Sequence, residues 1–184
     1  MSRWISVHTT SVIVSKALTV EWEDKKSFNL RYRPIFSGSK TDLTPTVSHE
    51  ILGACPDCRF DKATQYEEAV QKINTSAYDL VILAVMGVRG FDLLELAVNR
   101  NLRVVMLTAH AFSPEALKRS YELKARSYLP KDKLGEVVPF LEDALTHEFS
   151  SGWNRLFEKM NDFFDQRFGK EWKSKLGTDW WGWD

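Results

Sequence analysis

The chemistry-bearing residues of this chain fall in two places. The first is the pair Cys55 and Cys58 in CPDC. Two thiols at this spacing can form a redox dithiol or half of a zinc site. Zinc needs two more ligands. His49 is near, but no second cysteine pair follows, and His8, His110 and His147 are scattered. A redox dithiol works best between a strand and a helix N-terminus, where the dipole lowers a thiol pKa. Here the pair follows a helical stretch, HEILGA, and precedes a strand-like one, RFDKAT. Two reduced loop cysteines are the main reading, and a small thiol oxidoreductase is the alternative.

The second place is the ends of three apolar runs. VILAVMGVRG (81–90) passes from an apolar run through a glycine turn into a helix, and delivers Ala84-Val85-Met86. RVVMLTAHA delivers Thr108-Ala109-His110, and RSYLPKD delivers Pro130-Lys131. A hydroxyl at one strand end and an ammonium at another can hold a phosphoryl group by hydrogen bond and charge. A carboxylate at the third could accept it covalently, but Ala84 stands there. His110 has no nucleophile beside it and reads as a loop residue.

These residues need elements to hold them. YDLVILAV (78–85) and RVVMLT (103–108) are unbroken apolar runs, as in strands buried on both faces. RFDKAT (59–64) and RSYLP (126–130) read as shorter strands. QYEEAVQKIN (65–74) puts Ala69, Val70 and Ile73 on one helical side, and FDLLELAVN (91–99) does the same with Phe91, Leu94 and Val98. SPEALKRSYELK (113–124) opens with a Ser cap and a Pro at the first helical position. Residues 136–147 carry Val137, Val138, Leu141 and Leu145 on one stripe. Pro139 fits that helix only in its first turn. Strand–helix alternation with short loops predicts a parallel sheet. In such sheets the functional crevice lies beyond the carboxyl ends of the strands, and this rule alone selects the three strand ends above.

YDLVILAVMGVRGFDLLELA, RVVMLTAHA and ARSYLPKDKLGEVVPFLEDAL together resemble the receiver domain of bacterial response regulators, over residues 47 to 147. The resemblance implies a flavodoxin-like, doubly wound, parallel five-stranded sheet. In that family an Asp at the Ala84 position takes a phosphoryl group from a histidine kinase. Thr108 matches the hydroxyl residue that contacts the phosphoryl group, Lys131 the lysine that follows a Leu-Pro pair, and Tyr128 the aromatic that swings inward on activation. An alanine methyl cannot form an acyl phosphate. Asp79 lies at the other end of its strand, and Asp92 reads as a solvated acid in the first helical turn. The resemblance therefore points to a pseudo-receiver: no enzyme, and no catalytic residue.

The family also holds Mg²⁺ on an acidic pair after the first strand. Counting back without gaps from HEIL (49–52) puts that pair at Gly38-Ser39, after LRYRPIF, with Asp42 close by. Arg31, Arg33 and Pro34 make LRYRPIF poor material for a central strand. Two alternatives stay open: ALTVEW (17–22) followed by Glu23-Asp24, and TSVIVS (10–15) followed by Lys16-Ala17. The ungapped count is preferred. Mg²⁺ usually takes one or two protein carboxylates, so no cofactor and no metal are expected.

Four segments result. Residues 1–28 are an extension that resembles nothing named, 29–147 the receiver-like domain, 148–172 an amphipathic helix, and 173–184 a Trp-rich tail that ends in GTDWWGWD. Within SSGWNRLFEKMNDFFDQRFGKEW, Trp153, Leu156, Phe157, Met160, Phe163, Phe164 and Phe168 recur at helical spacing, and Gly169 is a stop. That face should pack on the domain, pair with a second copy or dock on a partner. In the family the output surface corresponds to residues 113–145, so a protein partner is expected there, with the helix at 150–168 as a further contact.

Bulk properties set the outer bounds. With 184 residues, 43% hydrophobic and 27% charged, the chain can bury a core. Its formal net charge of zero argues against nucleic acid as a partner. No apolar run approaches a membrane span, and MSRWISVHTTSVIVSKALTV lacks the apolar core of a secretory signal. A cytoplasmic location is the default expectation.

Overall fold

The computed structural model describes residues 12–15, 49, 53, 60–63, 65–85, 89–108, 113–175 and 177. Five strands form one sheet: β1 (Val12–Ser15), β2 (Phe60–Ala63), β3 (Leu80–Ala84), β4 (Arg103–Thr108) and β5 (Ser127–Pro130). Between and after them run α1 (Tyr66–Thr75), α2 (Gly90–Asn99), α3 (Pro114–Glu122), α4 (Val137–Thr146), α5 (Phe149–Phe168) and the single turn α6 (Trp172–Lys175). The strand order is β2-β1-β3-β4-β5.

The three C-terminal strands are parallel. Leu80 pairs with Arg103 and Ala84 with Leu107; Val105 pairs with Ser127 and Thr108 with Pro130. All five residues of β3 are buried, as are Val104 to Thr108 of β4. An unbroken apolar run needs cover on both faces, and β3–α2–β4–α3–β5 supplies two consecutive strand–helix–strand units that can give it.

The first strand departs from expectation. Val12–Ser15, from TSVIVS, lies between β2 and β3 and runs antiparallel to both. The all-parallel five-stranded sheet is therefore corrected to a mixed one, parallel only across β3, β4 and β5. Val12, Ile13 and Val14 are β-branched and suit a strand flanked on both sides, which the Arg and Pro of LRYRPIF do not. A connection as long as residues 16–59 allows either strand direction. LRYRPIF and ALTVEW lie outside the described residues.

The helices follow the sequence pattern closely. In α1, Ala69 and Ile73 are buried. In α2 the buried positions are Gly90, Leu93, Leu94 and Ala97, with Phe91 and Val98 only half-buried. Ser113 caps α3 by accepting the Ala116 N–H at 3.2 Å, with Pro114 in the first turn. A 3₁₀ turn, Lys131–Glu136, delays α4 until Val137, so Pro139 falls where its missing N–H is not needed. Gly169 ends α5 at φ 81, a left-handed value that costs glycine little.

The aromatic stripe of α5 is buried within the chain. Trp153, Leu156, Phe157, Met160 and Phe164 are each at most 3% exposed. The helix lies against α4 and β5, and its first turns touch the end of α3 through Tyr121, whose ring is 4.9 Å from Phe149 and 5.2 Å from Trp153. The Trp153 indole donates to the Ala125 carbonyl at 2.8 Å. That contact lies just ahead of β5, the edge strand, which an uncovered sheet would offer for pairing. One continuous core joins β3–β5, all the longer helices and Trp172.

Candidate functional site

The parallel register brings the selected strand ends together. Ala84 closes β3, Thr108 closes β4, and Lys131 follows Pro130, the last residue of β5. The Val85 N–H donates to the Leu107 carbonyl at 2.8 Å and extends the β3–β4 pairing by one bond. Ala84 is 5% exposed and places a methyl group where the resemblance asks for a carboxylate.

Gly90 opens α2, immediately beyond this end of β3. A Cβ at Gly90 would stand 2.9 Å from the Ala84 carbonyl oxygen and 3.5 Å from Val85 Cα. Only glycine lets the helix start so close to the strand end. Asp92, in the first turn of α2, is exposed and accepts from Arg89 Nε at 2.8 Å. The Arg89 guanidinium also lies 3.9 Å over the Tyr66 ring. Asp92 therefore sits as a first-turn acid, engaged by its neighbour at the mouth of α2.

Thr108 and Tyr128 are both fully buried. Burial pushes the Tyr128 phenol up to about 12, against the opposing pull of the Thr108 hydroxyl and the Ser113 backbone. The ring is thus turned inward, with its hydroxyl toward Thr108 and the start of α3. Thr108 Oγ1 has no hydrogen-bond partner of ordinary geometry among the described residues. A buried hydroxyl left this way costs about 1–3 kcal/mol, so its retention asks for a physical reason. Lys131 is half-buried at the head of the 3₁₀ turn.

Gly38, Ser39, Cys55, Cys58 and His110 lie outside the described residues. Among the described residues, no three His, Cys, Asp or Glu side chains converge as a metal site. The Mg²⁺ that the resemblance implies does not fit what stands at the strand ends. The Ala84 methyl offers no ligand, and Asp79 precedes β3 at its far end. Among the described residues, no helix is long and apolar enough to cross a membrane.

A second polar centre lies away from the crevice, and sequence reading missed it. Asp143 on α4 is 7% exposed. It accepts from Arg155 Nε at 2.8 Å and from Lys159 Nζ, both on α5, while His147 Nδ1 stands 3.6 Å from the same oxygen that Arg155 holds. Burial pushes the Asp143 carboxyl up. The hydrogen bonds and charges of Lys159 and Arg155 outweigh that and hold it below its ordinary value. The only sequence signal was an acid on the buried side of one helix and two bases four apart on the next.

The chain matches no protein-family model, and no curated protein or solved structure matches it either.

Proposed function

We propose that the chain is a receiver-like signalling protein of a bacterial two-component phosphorelay, cytoplasmic, unable to form aspartyl phosphate, and acting by protein–protein contact. It is not an enzyme in this reading, and it needs no cofactor. The half of the fold that supports the proposal is β3–β5, whose parallel strands and intervening helices follow the receiver pattern in order. The supporting observation is the set of side chains at the carboxyl ends of those three strands: Ala84, then Thr108, then Lys131, with Tyr128 buried toward Thr108. A hydroxyl and an ammonium at neighbouring strand ends are what a phosphoryl group needs, and a methyl group is what prevents it from attaching.

Without a covalent phosphoryl group, the Thr108–Tyr128 pair rests in the inward arrangement unless a partner biases it. Such a partner must bind the inward and outward arrangements with different affinity. The part of the α3, β5 and α4 surface that α5 does not cover is the proposed contact face, with the outer side of α5 as a further contact.

The test is Ala84→Asp, incubated with a small-molecule phosphodonor and Mg²⁺ and weighed intact. A phosphoryl gain at residue 84 that disappears in the Ala84→Asp/Lys131→Ala double variant supports an inherited phosphoryl site. No gain in either, or a gain indifferent to Lys131, overturns it.

A further inference from the structure

We infer that the end of the sheet where β4 and β5 begin is a basic docking surface, and that it takes a carboxylate-rich segment of another protein. This goes beyond the reading above and uses none of the crevice residues, because the crevice lies at the opposite ends of the same strands. Two turns of one kind build the surface. Each carries the chain from a helix into a parallel strand through a non-glycine residue in the left-handed region: Asn101 at φ 59 between α2 and β4, and Lys124 at φ 64 between α3 and β5. The first turn presents Arg100 and Arg103, and the second presents Lys124 and Arg126. Arg100, Arg103 and Lys124 are exposed, and Arg126 is half-buried.

The register gathers these bases at one edge. The Arg126 N–H donates to the Val104 carbonyl at 2.6 Å, so Arg126 stands beside the first residues of β4. Its guanidinium donates to the His147 carbonyl at 3.3 Å, and Lys124 Nζ lies 4.7 Å from the Phe149 ring, on the same connection between α4 and α5. What sets the group apart is a missing counter-charge. Lys72, Arg89, Lys118, Lys133, Arg155 and Lys159 each have a carboxylate oxygen within 4.0 Å. Among the described residues, Arg100, Arg103, Lys124 and Arg126 have none. Burial and the charge of Arg103 lower the Arg126 pKa, and the opposing pull of Glu148 is weaker than the push of Arg103. A guanidinium stays charged at any ordinary pH, so the folded chain carries this cost, and an incoming anion relieves it.

The chemistry selects the occupant. Arginine forks match carboxylates in bidentate pairs. On an extended segment, side chains two residues apart share one face at about 6–7 Å. That spacing lets successive carboxylates meet bases carried on adjacent strands. Nucleic acid is the poorer fit, since four bases on a chain of zero formal net charge give little of the counterion release that drives its binding. Complementary charge of this kind sets which partner docks and how fast.

The experiment uses the full chain. The probe is a fluorescent synthetic peptide of alternating glutamate and serine, with a glutamine-for-glutamate version as its control. The native chain should bind the glutamate peptide and not the control, and affinity should fall as salt rises. Hydrogen exchange in the native complex should slow at residues 100–103 and 123–126. Arg103→Glu/Lys124→Glu should weaken binding at least tenfold. Arg167→Glu/Lys170→Glu, which changes the net charge equally at the far end of α5, should leave it unchanged. Absence of binding overturns the inference. So does an equal loss in the two variants, because net charge alone is then at work, and so does slowed exchange at other residues only. Tighter binding to a short DNA duplex, or to phosphatidylcholine vesicles containing phosphatidylserine, overturns it in favour of those anions. The exchange arm reads the native chain, so a variant that fails to fold leaves the inference open to refutation.

Discussion

Thr108 and Asp143 are two buried polar groups with opposite treatment. The Thr108 hydroxyl closes β4 at 0% exposure and has no hydrogen-bond partner among the described residues. The Asp143 carboxylate, more costly to bury, has two cationic donors and a histidine at hand. Desolvation is offset at Asp143 by two charged donors, and at Thr108 by no more than its approach to the Tyr128 phenol. A polar group that is fully paired belongs to the architecture. One that lacks such pairing, at a strand end beside an inward tyrosine, is what the proposed remnant site would leave behind.

The sharpest way to break the comparison is at the α5 junction. Trp153→Ala removes a fully buried indole and its bond to Ala125, and should cost about 3–5 kcal/mol, read from urea unfolding midpoints. A loss under about 1 kcal/mol would mean that α5 does not sit as described. Next comes Asp143→Asn, expected to cost about 1–2 kcal/mol, because Arg155 and Lys159 are partly exposed and can rehydrate. Its pH signature matters more than its size. The native Asp143 pKa is depressed, so its contribution is present above the unfolded value of about 3.9 and is lost as pH falls through the folded value. Native stability should drop more steeply below about pH 4 than that of Asp143→Asn, and parallel acid limbs would contradict the pairing.

At the crevice, Gly90→Ala forces a methyl against the Ala84 carbonyl and should cost about 1–3 kcal/mol. Thr108→Val should sit at the other extreme. Removing an unpaired hydroxyl while keeping the shape is expected to change stability by less than about 0.5 kcal/mol, or to raise it. A cost above about 1 kcal/mol would show that Thr108 is paired after all, and the contrast with Asp143 would vanish. Spectrophotometric titration should find one of the five tyrosines ionising at about 12. The unfolded phenol ionises near 10, so between those values the unfolded chain sheds a proton that the folded chain keeps. Stability should therefore fall as pH rises from about 10, and Tyr128→Phe should remove that fall.

The β3–β5 half of the fold was legible because each element carries its own signal. Continuous apolar runs marked β3 and β4, a Ser-Pro pair marked the start of α3, and Gly169 marked the end of α5. Pro139 even dictated where α4 begins. The first strand was not legible: the ungapped count chose LRYRPIF and the resemblance a parallel direction, whereas Val12–Ser15 runs antiparallel, and three stretches competed on weak local grounds. Composition alone would have preferred TSVIVS, whose β-branched residues fill β1. Strand-end position selected Ala84, Thr108 and Lys131, and the structure sets them at the ends of β3, β4 and β5; Tyr128, inside β5, came only with the receiver resemblance. Asp143 was not, since its two partners lie 12 and 16 residues on, and nothing in the spacing says that two helices will cross there. Gly90 showed only as a turn residue; its close approach to Ala84 depends on how the helix meets the strand.

One measurement bears on the central claim most directly: the intact mass of the native chain after incubation with a small-molecule phosphodonor and Mg²⁺. With a methyl group at residue 84, no phosphoryl group should be gained at any donor concentration that labels a competent acceptor. A stoichiometric gain would contradict the account, because some other side chain would then be the acceptor, and Ala84 would not mark the end of the chemistry.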